Sequence, residues 1–133
     1  MDEKRPKVGV GVIIIRDGKV LLGRRKGTHA TGAYAFPGGH LEFGESWESC
    51  AKREVEEETG MQVSHSKFVA VTNDIFEKEG KHYITIFMRS ECVGEPKVME
   101  PTKCDGWDWY EWGKLPQPLM VTITDLIKQG YKP

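Results

Sequence analysis

Four glutamates lie close together in the middle of the chain. They directly follow Arg53 and are Glu54, Glu56, Glu57 and Glu58. Ser46 is a favourable cap for the start of a helix, and Gly60 is a favourable residue just past a helix end. The sequence therefore predicts a helix from about Trp47 to Thr59 that carries this acidic cluster in its second half.

The glutamates do not all point the same way on this helix. At about 100° per residue, an apolar arc is formed by Trp47, Cys50 and Ala51. Glu54 and Glu58 fall inside that arc, and Glu57 flanks it. Glu56 and Thr59 are expected on the opposite face, toward solvent. The face that is apolar in the first half of the helix therefore becomes acidic in the second half.

Carboxylates spaced three or four residues apart on a helix repel one another, and burying them without partners is costly. A divalent cation relieves both problems, and a ligand set made only of oxygen atoms favours Mg²⁺ or Mn²⁺. The alternative is a surface helix in which Lys52 and Arg53 form salt bridges with the acids. Magnesium held by carboxylates usually shares its coordination with substrate phosphates. Metal-assisted hydrolysis of a phosphoanhydride is the chemistry that this pattern indicates.

Two other segments fit the same chemistry. Arg24 and Arg25 lie in a run of cations between glycines, and guanidinium groups match phosphate oxygens well, although such runs are also common in solvated turns. Pro37, Gly38 and Gly39 precede the acidic helix and permit close approach of the backbone to a ligand.

The stretch resembles the Nudix box, the signature of the Nudix hydrolases. The matching positions are Gly39, Glu45, Arg53-Glu54-Val55, Glu57-Glu58 and Gly60-Met61. The resemblance implies an α/β fold, an α/β/α sandwich around a central mixed β-sheet, with the box forming a loop, a helix and a loop. It also implies Mg²⁺-dependent hydrolysis of a nucleoside diphosphate linked to another group.

The resemblance also assigns roles to individual residues. The implied metal ligands are the Gly38 carbonyl, Glu54, Glu57 and Glu58. Arg53 would orient a box glutamate, Glu45 would hold the loop against the helix, and Gly39 and Gly60 would be structural. The family's general base varies, so Glu54, Glu57 and Glu100 all stay open as candidates.

A narrower similarity covers most of the chain, through LLGRRKG, PGGHLEFGES, HYITI, MEPTKCDGWDWYEW and LPQPL. These segments look like a subgroup that includes the animal thiopurine-nucleotide diphosphatase and plant cytosolic relatives. That subgroup consists of homodimers that cleave nucleoside triphosphates, including oxidised ones such as 8-oxo-dGTP, to monophosphate and diphosphate. Some plant members hydrolyse geranyl diphosphate instead.

The narrower similarity implies a substrate-binding set as well. Arg25 and His40 would contact phosphates, and Asn73, Thr85 and residues 119–123, including Met120, would lie near the base. Simpler interpretations exist for two of them: His40 also fits a surface histidine, and Thr85 also fits a β-branched residue that fills a strand.

Size and composition set the remaining expectations. The 133 residues predict one domain, 1–133, and a net charge of −1 gives no reason to expect nucleic-acid or membrane-surface binding. An odd number of cysteines without CxxC spacing argues against disulfides and zinc. No segment looks like a signal peptide or membrane span, so a cytoplasmic location is expected.

The remaining pattern predicts strands on both sides of the acidic helix and a second helix near the end. The expected strands are Val8–Ile15, Val20–Leu22, Gln62–Thr72, His82–Met88 and Trp107–Trp112, and the expected second helix is Met120–Gln129. Asp17-Gly18 predicts a hairpin, and Phe68–Val71 is expected to be the buried centre of its strand.

The sequence thus predicts a Mg²⁺-dependent pyrophosphohydrolase that takes nucleoside triphosphates as small-molecule substrates. Two alternatives remain at this stage. One is hydrolysis of ADP-ribose-like or isoprenyl diphosphates, and the other is a non-catalytic nucleotide-binding module.

Overall fold

A computed structural model describes residues 4–27 and 29–133 of the chain. Within these residues the strands are β1 Lys7–Arg16, β2 Lys19–Arg25, β3 Tyr34–Ala35, β4 Gly38–His40, β5 Gln62–Phe76, β6 Lys81–Val93 and β7 Cys104–Glu111. The helices are α1 Trp47–Thr59 and α2 Val121–Lys128. Short 3₁₀ turns follow β5 and β7.

The strands form a mixed sheet in the order β3-β2-β1-β6-β5, in which β4 also pairs with β1 and β7 with β2. Strands β1 and β6 run parallel, and the other pairs are antiparallel. The hairpin between β1 and β2 is confirmed, because Asp17 and Gly18 both have positive φ, at 51° and 75°. Asp-Gly suits such a turn because both central residues must adopt this conformation.

Each face of the sheet packs against one helix. Val10 and Val12 of β1 form one buried cluster with Cys50 and Val55 of α1. Ile13, which points the other way along the same strand, belongs to a second cluster with residues of α2. The predicted α/β/α sandwich is therefore confirmed.

Helix α1 has the predicted bounds and caps. The Ser49 backbone N–H donates to Ser46 Oγ at 3.1 Å, and Gly60 has a φ of 74° with its N–H donating to the Glu56 carbonyl at 3.0 Å. The second half of this helix faces the loop at Gly38 and Gly39, which is where the candidate site forms.

Three expectations about burial are wrong. Phe68 and Val71 are 47% and 46% exposed, because β5 lies at the edge of the sheet, and Trp47 is exposed and packs against Phe68 with ring centroids 5.5 Å apart. Thr59 is fully buried, because its hydroxyl donates to the Val55 carbonyl at 2.7 Å and accepts from the Met61 N–H at 3.1 Å. Local hydrogen bonds of this kind make a threonine compatible with the inner face of a helix.

No helix among the described residues has the length and apolar character needed to cross a membrane.

Candidate active site

A cavity of about 760 Å³ lies between the acidic half of α1, the β4 loop, the end of β2 and the segment before β7. Its lining contains both acids and bases. The acids are Glu42, Glu54, Glu57, Glu58 and Glu100. The bases are Arg24, Arg25, Lys26, His29, His40, Arg53 and Lys103. The cavity can therefore accept a ligand that is itself anionic and that brings a cation with it.

Arg53 connects the loop to the helix. Its Nε donates to Glu45 Oε2 at 2.8 Å and its Nη2 donates to Glu45 Oε1 at 2.9 Å, which is a bidentate pair. The Arg53 hydrogen bonds lower the pKa of Glu45 to about 2, and the Glu45 partner in turn raises the pKa of Arg53. Because Nη2 also donates to the His40 carbonyl at 3.1 Å, the loop backbone is fixed to α1.

Glu54 is oriented by Arg53 and by the absence of a side chain on Gly39. Arg53 Nη1 donates to Glu54 Oε1 at 2.6 Å. A Cβ on Gly39 would lie 2.4 Å from the Glu54 carboxylate, so only glycine leaves room for it. Glu54 is 9% exposed, and burial raises its pKa in spite of the arginine. Gly39 and Glu54, two positions of the Nudix-box pattern, are therefore in direct contact where the loop meets α1.

Glu58 is partly buried at the end of α1 and is held by the loop backbone. Its Oε2 accepts the Gly38 backbone N–H at 2.8 Å. Burial raises the pKa of Glu58 to about 8, while Gly38 and Arg25 act against that rise. Trp107 Nε1 donates to the Glu58 backbone carbonyl at 3.2 Å, so strand β7 ties down the last turn of α1.

The structure agrees with the orientations predicted for Glu54, Glu58 and Glu56. Glu54 and Glu58 face inward, whereas Glu56 is exposed and does not line the cavity. Glu57 is intermediate, because it lines the cavity but its side chain is 51% exposed, and its Oε2 lies 3.6 Å from Arg53 Nη1. Arg53 therefore contacts two of the predicted metal ligands.

The chemistry of the donor set fits a hard divalent cation. Glu54 is buried and Glu58 partly buried, and burial raises the pKa values of both, so a nearby divalent cation would stabilise their ionised forms. Among residues 4–27 and 29–133, no three acidic, histidine or cysteine side chains already surround one point. Two of the carboxylates are instead held by protein donors, Arg53 and the Gly38 N–H. The role of the Gly38 carbonyl stays a prediction.

Glu100, the candidate base outside the box, lies in the same cavity. Its charge helps to raise the pKa values of Glu54 and Glu58, which places it near both of them. Glu100 Oε2 is 3.4 Å from Lys103 Nζ, and its side chain is about one third exposed, at 32%. The structure therefore brings all of the predicted catalytic and metal-binding residues to one cavity.

The basic side of the cavity contains both predicted phosphate contacts. Arg25 Nε donates to the His29 carbonyl at 3.0 Å. His40 Nε2 lies 3.0 Å from the Tyr83 hydroxyl, and the two rings are stacked. Burial, followed by the charge of nearby Lys7, lowers the pKa of His40. Burial therefore favours the neutral imidazole at this position.

His29 lines the cavity and Tyr83 packs against its histidines, and the sequence singled out neither residue. His29 Nδ1 lies 2.5 Å from Glu79 Oε1, and the His29 ring packs against Tyr83 with centroids 5.5 Å apart. The available signal was a histidine in a glycine-flanked loop directly after the Arg24–Lys26 cations. Glu79 is 50 residues away, so the sequence did not reveal this partner.

A second, smaller cavity of about 90 Å³ adjoins the first and shares six lining residues with it, namely Arg25, His29, Ala35, Phe36, Gly38 and Gly39. Its remaining lining is largely apolar or backbone and includes Gly9, Gly11, Tyr83, Thr85, Phe87, Met120 and Thr122. Gly9 and Gly11 alternate on the α2 side of β1, where side chains would fill the space. A Cβ on Gly11 would lie 2.9 Å from the Phe87 ring.

The predicted base-side residues separate into two groups. Thr85 and Met120 line the second cavity. Asn73 lines neither cavity, because side chains alternate along β5 and its neighbours Thr72 and Asp74 take the inner face. Asn73 Oδ1 instead lies 2.5 Å from His82 Nε2 on the exposed side of the sheet.

Residues 5–128 match the NUDIX domain, and the chain therefore belongs to the Nudix family. A MutT Nudix hydrolase from Burkholderia pseudomallei has a similar structure, with 33% identity and a TM-score of 0.86 over 93% of this chain and 98% of that one. The family match covers the box, both helices and all residues of the candidate site.

Curated relatives carry different activities in their names. An ADP-ribose pyrophosphatase from Methanocaldococcus jannaschii is 35% identical over 89 residues, which are 67% of this chain and 53% of the relative. An NAD-capped RNA hydrolase NudC from Stutzerimonas stutzeri is 29% identical over 105 residues, 79% of this chain and 37% of the relative. The chain thus spans about half or less of the length of these curated relatives.

Proposed function

We propose that the chain is a pyrophosphohydrolase that cleaves nucleoside triphosphates, including oxidised ones such as 8-oxo-dGTP, to monophosphate and diphosphate. The observation that carries this proposal is the juxtaposition, in one cavity, of buried carboxylates with raised pKa values and a group of cations. A magnesium triphosphate supplies what each group lacks, because it brings divalent charge to the acids and phosphate oxygens to the bases.

Each residue has a role in this proposal. Glu54, Glu57 and Glu58 hold Mg²⁺, with Mn²⁺ as a substitute, and Arg53 fixes the orientation of Glu54. Bound Mg²⁺ supplies activation of water and neutralisation of developing negative charge. Arg25 and His40 bind the phosphates. A carboxylate accepts the proton of the attacking water; Glu54, Glu57 and Glu100 stay open for this role, and Glu100 is the one outside the metal-binding set, with a side chain that is 32% exposed.

The second cavity extends the proposal to the nucleoside. It adjoins the first cavity at Arg25 and is lined by Tyr83, Phe87 and Met120, which suit a flat, largely apolar ring. A triphosphate in the first cavity would therefore direct its nucleobase toward the second.

Hydrolysis of ADP-ribose is the second candidate, because a 35% identical relative is named as an ADP-ribose pyrophosphatase. A substrate panel separates the candidates. The panel contains dGTP, 8-oxo-dGTP, dCTP, ADP-ribose and geranyl diphosphate, each with Mg²⁺, and products are identified by chromatography. We expect at least one triphosphate to be cleaved to monophosphate and diphosphate faster than the other two classes. Faster cleavage of ADP-ribose or geranyl diphosphate than of every triphosphate would overturn the proposed substrate class.

We also propose that the chain belongs to the subgroup of the thiopurine-nucleotide diphosphatase and that it forms a homodimer. The support is the agreement of five segments with that subgroup, from LLGRRKG to LPQPL. Light scattering coupled to size exclusion measures the mass directly. A mass of one chain, about 15.1 kDa, at micromolar concentration would contradict the dimer.

A further inference from the structure

A buried carboxylate, Asp74, lies behind the wall of the second cavity and is not explained by the proposed chemistry. Asp74 is fully buried on β5 and does not line the cavity. Its Oδ2 accepts two hydroxyl groups, from Thr72 Oγ1 at 2.9 Å and from Thr85 Oγ1 at 2.5 Å. Its Oδ1 is buried without a hydrogen-bond partner. Burial of an acid is costly, so the contact with Thr85 calls for a functional reason.

The contact determines which way the Thr85 hydroxyl points. A hydroxyl has one hydrogen to donate, and an ionised carboxylate can only accept. Burial, followed by the neighbouring acid Asp125 of α2, raises the pKa of Asp74 to about 6, so the carboxylate form predominates above neutral pH. The Thr85 hydrogen is then directed to Asp74, and only the lone pairs of Oγ1 remain available to a ligand in the cavity.

We infer that Asp74 is a positioning residue that fixes the Thr85 hydroxyl as a hydrogen-bond acceptor, so that the second cavity selects nucleobases that present an N–H group there. The inference rests on the proposed function, since it concerns the nucleobase of a triphosphate. Tyr83 and Thr122 also bring hydroxyl groups to this lining, and the Thr85 hydroxyl is the one whose direction is set by a buried carboxylate. An acceptor of fixed direction therefore discriminates between bases of similar shape.

Two pairs of nucleotides that differ by one amino group test this inference. ATP is compared with purine riboside triphosphate, which lacks the 6-amino group, and GTP with ITP, which lacks the 2-amino group. In at least one pair, kcat/KM is expected to favour the amino compound by about tenfold, the value of one buried hydrogen bond. Thr85→Val should reduce that ratio to within about twofold, and Thr85→Ser should keep it.

Asp74→Asn tests the positioning role, because its amide can donate to Thr85 and release the hydroxyl hydrogen into the cavity. The same ratio should then fall at least about threefold. Thr72→Val is the matched control, because it removes the other hydrogen bond to Asp74 Oδ2 without touching the cavity, and it should keep the wild-type ratio. Thermal unfolding of every variant confirms that it is folded.

Three results would overturn the inference: no pair that differs by more than about twofold in the wild-type protein, a ratio unchanged by Thr85→Val, or a ratio unchanged by Asp74→Asn. Failure of the proposed function gives a different result, namely no cleavage of any of the four triphosphates.

Discussion

The two cavities both depend on buried acid, but they use it differently. In the larger cavity Glu54 and Glu58 belong to the lining and are directed at the ligand space. In the smaller cavity Asp74 lies one layer behind and acts through Thr85. In the proposed function, the charged acids line the cavity that would bind a cation and phosphates. In the cavity that would bind the base, the charge of Asp74 lies behind the neutral hydroxyl of Thr85.

The two cavities also differ in how their residues are arranged along the chain. The acids of the larger cavity lie mainly on α1, next to the loop that directly precedes this helix. The second is built from β1, β6 and α2, which are far apart in the sequence. A contiguous motif can therefore specify the chemistry while substrate preference depends on separate elements.

A large effect is expected from Gly39→Ala, in the first cavity. The new Cβ would lie 2.4 Å from the Glu54 carboxylate, a flexible group that can move aside, so the fold should persist while the carboxylate is displaced. A displacement of about 1 Å can cost on the order of a hundredfold in rate, and kcat/KM should fall by about that factor. Steady-state kinetics and the melting temperature measure the two effects.

Gly106→Ala is the matched control for this prediction, because nothing lies within 4 Å of a Cβ at that position and its φ is not positive. It should keep activity within about twofold, as is usual for surface substitutions that remove no contact. Wild-type kinetics for Gly39→Ala would show that Glu54 does not need its present position.

A smaller effect is expected from the acid of the second cavity, and it should appear in stability. Burial and the neighbouring acid Asp125 of α2 raise the pKa of Asp74 in the folded protein to about 6, from an ordinary value of 3.8. The folded state therefore holds this proton more tightly than the unfolded state. Protonated Asp74 therefore stabilises the folded state below about pH 4, and this stabilisation is lost as the pH rises to about 6.

Urea unfolding of the wild-type protein and Asp74→Asn between pH 4 and pH 7 isolates this contribution. The free energy of unfolding of the wild type should fall relative to that of the variant, by on the order of 2 kcal/mol, and then level off. If the free energies of unfolding of the wild type and of Asp74→Asn changed in parallel with pH, Asp74 would have an ordinary pKa. The contrast between the acids of the two cavities would then be contradicted.

Much of the fold and of the first cavity could be predicted from the sequence. The caps at Ser46 and Gly60 fixed α1, and helical spacing was sufficient to separate Glu54 and Glu58 from Glu56. These features are local, so a few neighbouring residues determine them. The hairpin at Asp17-Gly18 is local in the same way.

The second cavity was harder to predict because its contacts depend on strand register. Asp74 meets Thr85 only through the pairing of β5 with β6, which contains two irregularities. The burial of Phe68 was misjudged for a related reason, because apolar composition does not show that β5 is an edge strand. His29 and Glu79 likewise meet through loops that local patterns do not place.

Glu57→Gln compared with Glu56→Gln tests the metal-dependent chemistry most directly, because the two residues are adjacent and only Glu57 lines the cavity. Triphosphate cleavage with Mg²⁺ and the rise in melting temperature on addition of Mg²⁺ are measured for both variants. Glu57→Gln should lose at least about a hundredfold in kcat/KM and most of the Mg²⁺-induced stabilisation, while Glu56→Gln stays near the wild type. Equal behaviour of the two variants would contradict the assignment of this helix face to metal binding and catalysis.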